Sequence, residues 1–271
     1  MKKFRRRSAR MNMMHFRVLS KRYFRQIFTN LSTLLPLILE APVMLIILFI
    51  SCKQDAFTAK DITQANLVAF MLVVMAAFMG LLNSYREICK EREILSREVY
   101  GGLDIPAYVL SKMLVLSVIG IVQCAILFGG SLAFIDFAFA KPVPDALLCF
   151  AAMALTNICV TALGLLISAL LKKSESAVLP VLMIIIMQVV FCDCLISLDG
   201  GAQFLRYITP SAWGIAVFGK ICGLNSWYPS VVSKELYDLN VFLSLGILAG
   251  FAVLFVALTT ILLRRAYRQK D

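Results

Sequence analysis

Apolar residues along this chain gather into six long runs at residues 34–52, 65–82, 113–135, 146–171, 177–196 and 241–263. A bilayer core about 30 Å thick needs about 20 mostly apolar residues per helix, because its interior offers no water to backbone amides. Each run fits that requirement, and four of the six contain no Asp, Glu, Lys or Arg. The exceptions are Glu40 in the first run and Asp193 near the far end of the fifth. The pattern predicts an all-α, polytopic membrane protein with six transmembrane helices. Three stretches outside the runs have patterns of their own. In residues 14–28, Phe16, Leu19, Tyr23, Phe24 and Ile27 share one helical face, Arg17, Lys21, Arg22 and Arg25 share the other, and Val18 is a misfit. This predicts an amphipathic helix on the membrane surface, apolar side down, its basic side toward anionic headgroups or a protein.

The second stretch, about 83–100, repeats Tyr85, Ile88, Leu95 and Val99 at helical spacing, and Glu93 precedes Arg97 by the four residues that favour an ion pair. Five acidic and five basic residues balance between Arg86 and Lys112. That balance fits a helix making a protein contact or a solvated, charge-laced one. Gly101-Gly102 is expected to end it, and Asp104-Ile105-Pro106 to turn the chain into the third run. The third stretch, about 197–240, holds an apolar piece at 204–219 that is broken by Pro210 and too short to cross. It reads as re-entrant or interfacial, with Trp213, Trp227 and Tyr228 suited to a headgroup belt.

Composition and charge narrow the class. The chain has 271 residues, 61% hydrophobic and only 16% charged, with a mean hydropathy of +0.85. Soluble domains run near 25% charged, so a disordered chain, a nucleic-acid-binding globule and an ordinary cytosolic enzyme are excluded. An even number of spans puts both termini on one side. With that side cytoplasmic, 21 of the 27 Lys and Arg residues lie inside, as the positive-inside rule favours. The basic lead before the first run is over 25 residues long, and no small-residue cleavage site follows Cys52. The first run is therefore expected to be retained rather than removed as a signal peptide.

The eight cysteines form no C-x-x-C pair and His15 is the only histidine, so neither a zinc nor an iron–sulfur site is expected. Cys124, Cys149 and Cys159 read as small apolar residues within spans. Cys52, Cys192, Cys194 and Cys222 would share the outer face, and spacing leaves open whether any two are joined. Gln123, Asn157 and Gln188 read first as polar contacts between helices.

The run Arg86-Glu87-Ile88-x-Lys90-Glu91-Arg92-x-Ile94-x-x-Arg97-Glu98, followed by Gly102-Leu103-x-Ile105-x-Ala107-Tyr108-x-Leu110-Ser111-Lys112, resembles the transmembrane domain of ABC exporters of the G (White-like) subfamily. Ala41-Pro42 in the first run and Tyr207-x-x-Pro210-Ser211-x-Trp213 before the last agree with it. The resemblance covers nearly the whole chain and is strongest over residues 83–123. It implies a homo- or heterodimer of six-helix units, each docked on a cytoplasmic ATP-binding subunit. Residues 1–33 become a cytoplasmic N-terminus with a connecting helix, 34–263 the transmembrane domain, and 264–271 a cytoplasmic tail. By the same resemblance Arg17, Lys21, Arg25, Glu87, Glu91, Arg92, Arg97 and Glu98 form the ATPase-coupling surface. A pathway lined mainly by spans 2 and 5 makes Phe70, Phe78 and Gln188 candidate lining residues, closed by a plug near Leu195 and Ile196. Glu40, which stands where related bacterial domains tend to have Gln, is a further pathway candidate. An ionisable group at that depth is a functional candidate by default, unless it only bonds a neighbouring helix.

No G-x-x-x-x-G-K-[ST] phosphate loop occurs, because Gly219-Lys220 lacks the upstream Gly and the following hydroxyl. The expectation is a non-enzymatic permease subunit of an ABC exporter in the cell membrane, with no cofactor or nucleic-acid partner of its own. ATP and magnesium would belong to a separate polypeptide, since about 33 residues before the first run are too few for an ATPase domain. A passive channel or a structural membrane protein is the alternative.

Overall fold

The computed structural model describes residues 13–171, 177–194, 201, 203–227 and 234–267. Among these every regular element is a helix. Five helices follow from five of the apolar runs and are long enough to cross a membrane: α2 (Leu31–Ser51), α3 (Ile62–Ser84), α5 (Ile105–Ser131), α6 (Pro142–Leu170) and α12 (Val241–Ala266). The numbering leaves α1 for Met13–Thr29, α4 for Arg92–Tyr100 and α7 for Val178–Val190. Four shorter helices, α8 (Phe204–Ile208), α9 (Pro210–Ile221), α10 (Leu224–Trp227) and α11 (Glu235–Asp238), occupy the described part of the segment before α12. Capping residues open several of these. The side chains of Asn30, Asp61 and Asn240 accept from the backbone amides of Ser32, Gln64 and Phe242, which lack partners within the helix.

The core is built on α3, whose apolar window is 72% buried, against 11% for α2 and 17% for α12 at the periphery. Small residues let α3 and α6 approach closely. A Cβ placed on Gly80 would stand 2.5 Å from the Asn157 carbonyl oxygen, and one on Gly120 of α5 would meet the Asn157 side chain at 1.9 Å. At this contact Asn157 Nδ2 donates to the Ala76 carbonyl at 2.8 Å. With Gln123 and Gln188 also bonded across helices, all three buried amides join neighbouring elements, as their place in apolar runs suggested. Cys124, Cys149 and Cys159 are fully buried, and no disulfide joins any of the eight cysteines.

Four expectations change. The fifth run yields only the 13 residues of α7 among those described, about 20 Å at 1.5 Å per residue. The chain turns after Val190, and Asp193 adopts a φ of 54°, a conformation that Asp tolerates better than most residues. The Lys234 ammonium bonds the Asp193 carbonyl, and Arg206, 7% exposed, reaches both the Asp193 and Glu235 carboxylates. The polar residue hidden in an apolar run thus marks the corner where that helix stops.

Residues 83–100, read as one helix, form two. The α3 helix ends at Ser84, a turn and a 3₁₀ segment at Cys89–Glu91 follow, and α4 begins at Arg92. The interruption has a visible partner: Ser168 Oγ of α6 accepts from the Ile88 and Cys89 amides at 2.9 and 3.0 Å. The end of α4 follows the expected glycines, with Gly102 at φ 99°. The Gly102 amide bonds the Val99 carbonyl and the Leu103 amide that of Glu98, the bond pair of a Schellman cap. Ser168→Ala would leave two buried amides unpaired and is expected to cost about 2 kcal/mol. Thermal unfolding in detergent would read the loss, and amide exchange at Ile88 and Cys89 should accelerate ahead of α3.

In the segment before α12, Pro210 starts α9 rather than merely breaking a helix. Ten residues of α9 are buried, including Trp213, whose indole N–H donates to the Tyr207 carbonyl at 2.9 Å. Trp213 is therefore a core residue and not a belt residue. Trp227 packs partly buried against Phe57, and Tyr228 lies outside the described residues.

The amphipathic helix also meets protein where a lipid face was expected. Leu19, Tyr23 and Ile27 of α1 are buried in one cluster with Leu95 and Val99 of α4, Tyr108 and Met113 of α5 and Leu263 of α12. Phe24 and Val18 stay exposed, with Phe24 stacked on Phe28. This cluster defines the α1 end of the bundle.

Candidate functional site

At the α1 end three separate pieces of chain bring their charges to one point. The α1 helix supplies Arg22, Tyr23 and Gln26; the turn after α3 supplies Glu87, Lys90 and Glu91; the first turns of α5 supply Tyr108 and Lys112. Lys112 is the hub. Its side chain is only 2% exposed, and its Nζ lies 3.3 Å from Glu87 Oε2 and 2.7 Å from Glu91 Oε2. The ammonium also sits 4.0 Å from the Tyr23 ring centroid and 5.6 Å from that of Tyr108, near enough for cation–π attraction. The phenols complete the pairing: Tyr23 Oη donates to Glu87, and Tyr108 Oη donates to Glu91 Oε2 at 3.1 Å.

Lys90 pairs with Glu87 as well. Burial works to raise the Glu87 carboxyl, and the ammonium groups of Lys112 and Lys90 outweigh it, so its pKa is lowered. For Tyr23, burial and then the Glu87 charge push the phenol well above its ordinary value. It therefore remains a hydrogen-bond donor at neutral pH.

The other expected coupling residues divide into two groups. Arg92 turns away from solvent: its Nη1 donates to the Leu171 carbonyl at 2.6 Å, just past the end of α6, and Tyr267 Oη bonds the Arg92 carbonyl at 3.3 Å. Glu98 binds Arg22 through both carboxylate oxygens, at 2.5 and 3.2 Å. Glu87, Glu91, Arg92 and Glu98 are thus engaged within the chain. Arg17, Lys21 and Arg25 lie exposed along α1, and Arg97 is exposed on α4 with Ile94 and Tyr100 beside it.

Periodicity placed Tyr23 on the apolar face of α1 but gave no role to Tyr108 or Lys112. Lys112 counted only as one more basic residue between spans. A signal was present all the same, since Glu87 and Glu91 are four apart and so are Tyr108 and Lys112, two matched ladders waiting for a partner.

Deeper in the bundle, Gln123 of α5 joins three helices. Its Nε2 donates to Glu40 Oε2 at 3.0 Å and to the Leu37 carbonyl at 2.9 Å, while its Oε1 accepts from Asn83 at 2.8 Å. Pro36 and Pro42 interrupt the α2 ladder around this point, which lacks an amide donor at each proline. Between α1, α2 and the end of α3 a cleft of about 500 Å³ opens, with Glu40, Leu37 and Asn83 in its wall. Among the pathway candidates, Phe70 is buried, Phe78 is partly buried in the same core, and Gln188 Oε1 accepts from the backbone amide of Ser211 at 3.1 Å. Leu195 and Ile196 lie outside the described residues.

The long apolar helices, the buried helix before the last span and the charged knot at one end define the helical membrane domain of a transport protein. The chain belongs to the ABC-2 type transporter family, whose membrane domain matches residues 14–221. It is also 31% identical over 175 residues to the ABC transporter ATP-binding/permease protein Rv1747 of Mycobacterium tuberculosis. That similarity covers 62% of this chain and 20% of the relative, so the chain spans about a fifth of the length of the protein it matches.

Proposed function

We propose that this chain is the permease subunit of an ATP-driven exporter. Two such subunits would form the pathway, each working with a cytoplasmic ATP-binding subunit that is a separate polypeptide and holds the ATP and magnesium. Both termini would then face the cytoplasm, as the distribution of basic residues favours. Two things support this reading: the family and the pairing of ATP-binding and permease parts in the relative's name. The single observation that carries it is the knot around Lys112. It ties α1, the turn after α3 and the start of α5 into one unit. A push on α1 or α4 therefore reaches two spanning helices without passing through a flexible loop.

In this reading the expected coupling residues have two roles. Arg17, Lys21, Arg25 and Arg97, exposed, meet the ATPase. Glu87, Glu91, Arg92 and Glu98 transmit its movement inward. Rim charges act on encounter and affinity, so reversing Lys21 and Arg25 together to Glu is expected to weaken ATPase docking by about tenfold, about 1.4 kcal/mol. Arg92→Ala should leave docking in place and reduce transport-stimulated ATP hydrolysis. Reconstitution with the cognate ATPase, expected to be encoded beside this chain, tests both. Unchanged co-purification and unchanged ATPase stimulation in the Lys21/Arg25 variant would sink the docking surface and favour a structural role.

A further inference from the structure

The cleft beside Glu40 has features that coupling does not use. Its volume, about 500 Å³, lies within the roughly 300–1,000 Å³ range of small-molecule sites. Pro36 and Leu37 lie on the same face of α2 as Glu40, four and three residues before it, and Leu82 and Leu116 close the apolar side. Leu82 is 43% exposed and Pro36 is also exposed, so the apolar side opens outward, where a membrane's hydrocarbon would lie. The charges in the wall are Glu40, Glu87, Arg86 and Lys90. Glu87 and Lys90 pair with each other. Arg86 lies over the Tyr85 ring, 4.9 Å from its centroid, beyond the end of α3. Glu40 accepts from Gln123, and none of the ion pairs among the described residues includes it.

We infer that this cleft binds a lipophilic cation, with Glu40 as its counter-ion and the leucine wall around its apolar body. A carboxylate at this depth is costly unless it is paired or protonated, and a bound cation would pair it. The arrangement also selects the sign. Pro36, Leu37, Leu82 and Leu116 line the cleft together with Glu40, so an anionic amphiphile reaching for Arg86 would lay its apolar body beside a carboxylate that no cation among the described residues pairs. A cationic one places its charge and its apolar body where each has a partner. The cleft is walled by α1, α2, the end of α3 and α5 and includes no residue of α7, so it touches the expected pathway only through Leu82 and Asn83 at the end of α3.

The test is binding to the full chain in phosphatidylcholine nanodiscs, without any ATPase, so that failure here leaves the permease reading standing. Radiolabelled tetraphenylphosphonium is the probe, and tetraphenylborate is its counterpart of equal shape and opposite charge. Saturable tetraphenylphosphonium binding is expected, at least tenfold weaker in Glu40→Gln, which keeps a partner for Gln123. Leu37→Trp, which fills the apolar wall with Glu40 intact, should weaken it comparably and serves if the glutamine variant does not fold. Equal binding by a folded Glu40→Gln or by Leu37→Trp would overturn the proposal. So would preferential binding of tetraphenylborate that is lost in Arg86→Ala, which would make the cleft an anion site of the kind an acidic lipid headgroup occupies.

Discussion

Lys112→Met is expected to destabilise the protein by about 3–5 kcal/mol, the cost of breaking a buried ion pair from one side. The ammonium, 2% exposed, lies between two carboxylates that are themselves only 13% and 14% exposed. Methionine keeps most of the length of the side chain but leaves Glu87 and Glu91 facing each other without the charge that holds them. Lys90 still reaches Glu87 from its exposed side, and the two phenols still donate, so the loss should not exceed this range. The informative comparison is Lys112→Met combined with Glu87→Gln and Glu91→Gln. Removing all three charges also removes the repulsion and most of the desolvation cost, so the triple variant should recover a large part of the loss. Unfolding in detergent, followed by circular dichroism, reads both. A single-variant loss below about 1 kcal/mol, or a triple variant no more stable than the single, would mean that Lys112 does not hold this knot together.

Gly80→Val should rank with it. A Cβ at Gly80 would stand 2.5 Å from the backbone oxygen of Asn157 and 2.9 Å from Thr161 Oγ1. The nearer atom belongs to the α6 backbone and cannot rotate away, so α3 and α6 must separate. Overpacking typically costs about 1–3 kcal/mol. Here the upper end or beyond is expected, because separation also strains the bond from Asn157 Nδ2 to the Ala76 carbonyl. Gly129→Val is the matched control: beyond its own stretch of α5, no atom lies within 4 Å of a Cβ at that position, and its stability should stay within about 0.5 kcal/mol of the starting protein, as for most surface changes. Equal stability of the two variants would show that the close approach of α3 and α6 does not matter.

The spans were legible because hydrocarbon imposes one rule on every residue of a run. Length and apolarity alone announce α2, α3, α5, α6 and α12, and local chemistry announces the Gly101-Gly102 stop. Where the reading diverged, a residue distant in sequence had intervened. Ser168, some eighty positions further on, takes two amides from the turn that periodicity had drawn as helix. Lys234 and Arg206 hold the corner at Asp193 that an apolar run concealed. Trp213 looked amphipathic in isolation and proved to be core because α9 packs against α3, α6 and α12.

The charged stretch followed the same division. Its composition, with acids and bases in balance, marked it as more than a topology signal. Which charges face outward was beyond the reach of helical periodicity, since that rule assumes one unbroken helix and knows nothing of α5. Glu91 and Arg92 are adjacent in the chain, yet one turns to Lys112 and the other to the end of α6. The membrane class, the span positions and the stock of charges were written in the order of residues, because burial in hydrocarbon and capping are local requirements. The pairing of those charges, and the cleft that leaves Glu40 facing open space, arise only when α1, α2, α3 and α5 pack together. An ion pair depends on distance in space, and the pairs made by Lys112 and Arg22 join residues from 21 to 76 positions apart along the chain.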